Sequence, residues 1–154
     1  MKASPACIAL IKSSEGHGPN GSLPYLEGYL CPAGVPTIGW GHTGHTNVGD
    51  VISVDQAETL LFFDIGRVEQ DLLAVLPVGI MLTQGQWDAL VSLCFNLRGG
   101  ARVLPQKAPK LWGDLLAGRN VDAAREFLDM DHANGVELEG LKIRRQKESA
   151  LFLS

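Results

Sequence analysis

Glu15 is the residue whose type and position best suit proton transfer. Ser4 and Pro5 make a helix start, a side-chain N-cap followed by proline at the first helical position. Cys7, Ile8 and Ile11 then share one face, and Gly16 ends the helix, leaving Glu15 at its C-terminal edge. A general acid needs a carboxyl group that is partly desolvated, because burial favours the protonated form. A helix end facing a strand-rich region offers that environment. The matching chemistry is glycoside hydrolysis, in which one group protonates the leaving oxygen and another steers or activates water. On its own, a glutamate at a helix end is ordinarily just a surface residue.

Other clusters carry less. His42 and His45, joined by Cys31 or His17, hold zinc-ligand types, but the spacing is not that of a peptidase and no HExxH is present. Loop histidines of this kind more often face solvent or bond a nearby aspartate, so no metal and no cofactor are expected. Trp40, Trp87 and Trp112 are aromatic faces for a sugar. Trp87 and Trp112 fall on apolar stripes and read as core, whereas Trp40 follows a strand pattern and is left open.

The elements that must position these residues follow from the punctuation. Residues 16–49 are rich in Gly, Pro and aromatics, and Tyr25, Tyr29 and Thr37-Ile38-Gly39-Trp40 suggest short strands joined by turns. After Ser53, residues Ala57, Leu60, Leu61, Val68, Leu72 and Leu76 keep helical spacing until Pro77. Thr83 and Gln86 form a capping box for a helix carrying Trp87, Leu90, Val91, Cys94 and Leu97, which Gly99-Gly100 ends. A short helix is expected over 109–118 with Leu111, Trp112, Leu115 and Leu116 inward. Asn120 should cap another bearing Ala124, Phe127 and Leu128, and Gly140 should precede a last one with Leu141, Arg144 or Arg145, Glu148 and Phe152. The fold class is α+β: a small β-containing N-terminal lobe over about 16–52, and a larger helical lobe over about 53–154 plus the first helix, joined by the long helix in one 154-residue domain.

Composition narrows the partners. The chain is 45% hydrophobic and 19% charged, with a formal net charge of −4, as expected of a globular protein with no pull toward polyanions. The densest basic stretch, residues 142–147, is too small to track phosphates and reads as a solvated helix face, so nucleic acid is excluded. Three cysteines with no CxxC describe reduced thiols, not a disulfide framework. A Cys7–Cys31 bridge is a minor alternative. The apolar run over 6–11 is too short for a signal-peptide core or a membrane span, so synthesis in the cytoplasm without membrane insertion is expected.

Three ordered motifs carry a family resemblance. The first joins Ile11-Lys12-Ser13-Ser14-Glu15-Gly16 to Tyr29-Leu30-Cys31 and Thr37-Ile38-Gly39-Trp40-Gly41-His42-Thr43, with five residues between Cys31 and Thr37. The second is the helix from Leu82 to Phe95-Asn96, and the third is Gly140-Leu141-Lys142-Ile143-Arg144-Arg145-Gln146-Lys147-Glu148. Together they resemble the T4-type phage lysozymes and endolysins of glycoside hydrolase family 24, over nearly the whole chain.

That resemblance implies a lysozyme-like fold and a cofactor-free muramidase. It would cut the β-1,4 link between N-acetylmuramic acid and N-acetylglucosamine in peptidoglycan, with inversion, during phage-mediated host lysis. Glu15 would be the general acid, Cys31 would occupy the position of an Asp or Cys, and Thr37 would hold the attacking water. Trp40, His42 and Asn96 would contact substrate, and Arg144 or Arg145 would support Glu15. A monomer is expected, waiting in the host cytoplasm until a holin gives access to the periplasmic wall. An ordinary thiol is mostly protonated at neutral pH, so Cys31 is a poor base unless its pKa is lowered; base, water holder and bystander all stay open.

Two departures from the family pattern stand out. Fifteen residues separate Glu15 from Cys31, more than usual, as if residues 16–22 or an equivalent stretch were added. A loop of that length is cheap to close. It makes Glu27, four residues before Cys31, a rival acid. Residues 103–110 also lack the family's Phe-rich and Ser-Thr character. The alternatives are an inactive wall-binding relative, a chitin-directed glycosidase and a lytic transglycosylase.

Overall fold

A computed structural model describes residues 1–133 and 136–154. The helices are α1 (Pro5–Glu15), α2 (Val54–Val75), α3 (Gln84–Asn96), α4 (Leu104–Lys107), α5 (Pro109–Leu116), α6 (Asn120–Glu126) and α7 (Glu139–Phe152). The strands are β1 (Tyr25–Leu30), β2 (Pro36–Gly39), β3 (His132–Ala133) and β4 (Val136–Glu137). β1 and β2 form one antiparallel hairpin, β3 and β4 another. The mixture of helices and short hairpins is the expected α+β class.

The chain divides into two compact units, Met1–Leu10 with Val68–Ser154 and Ile11–Arg67. Both divisions fall inside helices: α1 and α2 each begin in one unit and end in the other. The sequence-based division at about 52 instead followed the change in composition.

In the unit that holds β1 and β2, the strands pair Tyr25 with Gly39, Tyr29 with Thr37 and Leu30 with Pro36. Between the first two pairs the register shifts, because β1 advances farther than β2. The slack is taken up at Gly28, whose N–H donates to Asp50 O at 2.8 Å and whose carbonyl accepts from Gly49 N at 2.9 Å. A β-carbon at Gly28 would lie 2.2 Å from the Asn47 carbonyl oxygen, so only glycine admits this bulge. Ile11, Ile38, Ala57, Leu61 and Ile65 are buried in the same unit.

In the other unit the capping box forms as expected, with Gln86 N donating to Thr83 Oγ1 and Thr83 N to Gln86 Oε1. Residues 85–94 of α3 are buried all round, the pattern of a core helix rather than a half-exposed one. α7 packs along α3, and Phe152 meets Phe127 at 5.5 Å between ring centroids.

Several local expectations need correction. Leu116 is the last residue of α5 and points outward, as does Leu128, which lies beyond the end of α6. Trp112 is half-buried. Asn120 is the first residue of α6, and its N-cap position, Arg119, makes no side-chain cap. Gly140 lies inside α7 rather than before it. A 3-10 turn (Gly100–Val103) and α4 occupy a stretch for which no element was expected.

Candidate active site

Glu15 is the last residue of α1 and is half-buried. The chain then makes the added excursion. Backbone bonds between His17 and Leu23, at 2.9 and 3.0 Å, close residues 17–23 into a small loop around a 3-10 turn (Pro19–Gly21). Gly21, at φ +65°, brings this loop against the helix end; a β-carbon there would lie 2.3 Å from the Ser13 carbonyl oxygen. The loop is thus tied back onto α1, immediately before the hairpin begins.

Cys31 follows β1 and closes the hairpin turn, its N–H donating to Val35 O at 3.0 Å and its carbonyl accepting from Gly34 N at 2.8 Å. The thiol is free and half-exposed. Its pKa lies below the ordinary value because backbone N–H groups of Val35 and Ala33 face the sulfur; partial burial opposes this, and the Thr37 hydroxyl assists. That hydroxyl is buried and donates to Val35 O at 2.9 Å. One hydroxyl proton serves one acceptor, so it stays on Val35 beside a neutral thiol and can turn to the sulfur of a thiolate. With its proton given to Val35, the Thr37 oxygen keeps lone pairs for a water to donate into.

Tyr29 faces Thr37 across the hairpin. Its phenol pKa is raised, first by burial and then by the charges of Tyr25, Cys31 and Glu15. Tyr29, Cys31 and Thr37 therefore lie together on the hairpin, and Glu15 ends α1 in the same unit. Glu27, the rival acid, is exposed on β1 and bridges to Val51.

Two residues expected to touch substrate do not offer themselves to it. Trp40 is 3% exposed, and Lys12 Nζ sits 4.5 Å from its ring centroid while also pairing with Glu58. His42 is also buried; its Nδ1 lies 2.8 Å from Asp64 Oδ2 and its Nε2 2.8 Å from Gly44 O. His42 braces the chain after β2 against α2. Among the described residues no cluster of His, Cys, Asp and Glu is suited to a metal ion.

Asn96, Arg144 and Arg145 meet in the other unit around Glu148, which the sequence places on the last helix without giving it a role in the site. Glu148 is fully buried; it accepts from Arg144 Nε at 3.0 Å, from Arg145 Nη1, and from Ser92 Oγ at 2.6 Å. Arg144 Nη2 also donates to Ser92 O at 2.8 Å. Arg145 donates to Met130 O at 3.0 Å and, through Nη2, to Asn96 Oδ1. The spacings 144/148 and 145/148, one helical turn each, were the available signal.

The sequence profile of the phage lysozyme family matches residues 24–148. Glu15 precedes the matched stretch. An endolysin of Acyrthosiphon pisum secondary endosymbiont phage 1 is 39% identical over 158 aligned positions, covering 100% of this chain and 99% of its own. Among solved structures, the muramidase domain of SpmX from Asticaccaulis excentricus superposes with TM-score 0.82 at 32% identity, covering 99% of this chain and 98% of that one. The active form of the P1 phage endolysin Lyz gives TM-score 0.81 at 28% identity, covering 99% and 85%. The chain belongs to the phage lysozyme family and is a glycoside hydrolase that breaks down peptidoglycan.

Proposed function

We propose that hydrolysis proceeds in one displacement with inversion at the anomeric carbon. Glu15 gives its proton to the glycosidic oxygen as the muramic acid to N-acetylglucosamine bond breaks. A water donates one hydrogen bond to Thr37 Oγ1, which aims its lone pair at the opposite face of the sugar. Its proton passes to Cys31 Sγ, for which the backbone donors of the hairpin turn lower the thiol pKa. The supporting observation is the hairpin, whose register sets Tyr29 opposite Thr37 and whose turn holds Cys31 among backbone donors.

Asn96 and Arg145 are tied together on the α3 and α7 side, and Arg144 and Arg145 hold the buried Glu148. The protein acts as a monomer on the periplasmic wall, and a separate hole-forming protein gives it passage from the host cytoplasm. No described helix is long and apolar enough to cross a membrane.

The test is product stereochemistry. Proton NMR of a soluble uncross-linked glycan strand during digestion should show the α-anomer of the new reducing end first. Initial β-anomer would mean retention and remove the water-holding role of Thr37. Anhydro-muramic ends would mean a transglycosylase.

A further inference from the structure

Lys12 ties three elements of one unit together at a single point. It stands one turn before Glu15 on α1, and its carbonyl accepts from Gly16 N at 2.9 Å, the bond that closes the last turn of the helix. Its ammonium lies 4.5 Å from the centroid of the Trp40 ring and pairs with Glu58, on the second turn of α2. Trp40 immediately follows β2, three residues after Thr37, and is buried. Gly39 meanwhile lies against α2, where an added β-carbon would be 3.7 Å from Ala57 Cβ. An ammonium over the face of a tryptophan is attracted by the negative charge of the ring face, and its remaining N–H groups stay available to the carboxylate. The Lys12 and Glu58 side chains are both partly buried, so water screens the group less than it screens a fully solvated pair.

We propose that Lys12 is a positioning residue for the hydrolysis: its grip on Trp40 and Glu58 sets where the carboxyl group of Glu15 stands relative to β2. A helix end frays because its last carbonyls have no partners farther along the helix. Holding Lys12 by its side chain fixes the turn that carries Glu15. The contact with Trp40 refers that turn to the strand that carries Thr37. An ordinary surface ion pair would add a little stability and leave the rate of a folded variant untouched. A positioning group acts on kcat instead, since a displacement of about 1 Å at a reacting group costs up to about a hundredfold. The inference rests on the general-acid role of Glu15 proposed above.

Lys12→Met keeps the aliphatic stem and loses the charge. On a soluble uncross-linked glycan strand its kcat should fall about five- to fiftyfold, while KM changes less than about twofold. Lys12→Arg, which keeps a cation for both partners, should recover most of the loss. Glu58→Gln should lower kcat by a smaller factor, and adding it to Lys12→Met should lower kcat little further, because both act through one clamp. Should Lys12→Met fail to fold, Glu58→Gln carries the test. Hydrogen exchange reads the helix end without any activity: the Gly16 amide should exchange faster in Lys12→Met than in the unsubstituted protein, and Lys12→Arg should restore its protection. Folded variants with unchanged kcat, an effect on KM instead of kcat, or unaltered exchange at Gly16 would each overturn the proposal. Faster exchange and lower kcat, alongside a Glu15→Gln protein that stays active, would uphold the clamp and reject Glu15 as the acid.

Discussion

Replacing Glu148 by glutamine should cost more stability than any other single-charge change on α7. Its carboxylate is fully buried between two guanidinium groups that are each 3% exposed. The variant keeps nearly the same shape but removes the negative charge that both guanidinium groups share at this position. Removing one charged partner from a buried ion cluster typically costs about 3–5 kcal/mol, because buried charge is poorly hydrated. A chain of 154 residues unfolds with an entropy of about 0.3 kcal/mol/K. The melting temperature should therefore fall by roughly 10–15 °C. Circular dichroism across a thermal ramp, repeated with urea, measures both quantities. Glu139→Gln, exposed in the first turn of the same helix, is the internal control and should stay within about 0.5 kcal/mol of wild type. A Glu148→Gln protein melting within about 3 °C of wild type would show that the cluster is hydrated or rearranged, and the reasoning would fall.

Three further outcomes are expected. Native protein at neutral pH should react with a disulfide reagent at one thiol, Cys31; Cys7 and Cys94 are buried, with burial as the main cause raising both pKa values to about 12, and should react after unfolding. Three fast thiols would refute this. Those two thiols also set a pH dependence: once unfolded they lose protons above their ordinary 9.0, while folded they keep them to about 12, so stability is full below pH 9 and falls as pH rises through this window. At pH 10 each should remove on the order of 1 kcal/mol, and Cys94→Ala should flatten the decline by half, as urea titrations at pH 8 and 10 would reveal. Gly28→Ala should destabilise the hairpin and slow hydrolysis at least about tenfold, because its β-carbon meets the Asn47 carbonyl and displaces Cys31; a wild-type rate would mean that the loop yields at no cost.

What was legible in the sequence was local. α1 ends at Glu15 because a capped start and a terminal glycine bracket a single apolar face, and α3 begins where Thr83 and Gln86 satisfy each other's backbone groups. Cys31 and Thr37 enter the candidate site through the family resemblance that the ordered motifs carry; local backbone preference supplies only the strands and turn around them. Contacts distant in sequence were not. Nothing near His42 in sequence points to Asp64, which lies 22 residues away on α2, so the spacing alone does not reveal that His42 braces the chain. Trp40 was left open because its strand pattern does not reveal that Lys12, on another element, covers its face. The added loop was seen as an insertion, but its register with Leu23 and its fit to Ser13 depend on glycine geometry that spacing alone does not specify.

The central claim is that Glu15 supplies the proton for peptidoglycan cleavage. Purified sacculi incubated with wild type, Glu15→Gln and Glu27→Gln, each verified as folded, should be assayed for new reducing ends. A general acid contributes about 10²–10⁴ in rate, so Glu15→Gln should fall by at least a hundredfold while Glu27→Gln stays near wild type. A Glu15→Gln protein that keeps more than a tenth of the activity, or a Glu27→Gln protein that loses it, would contradict the account.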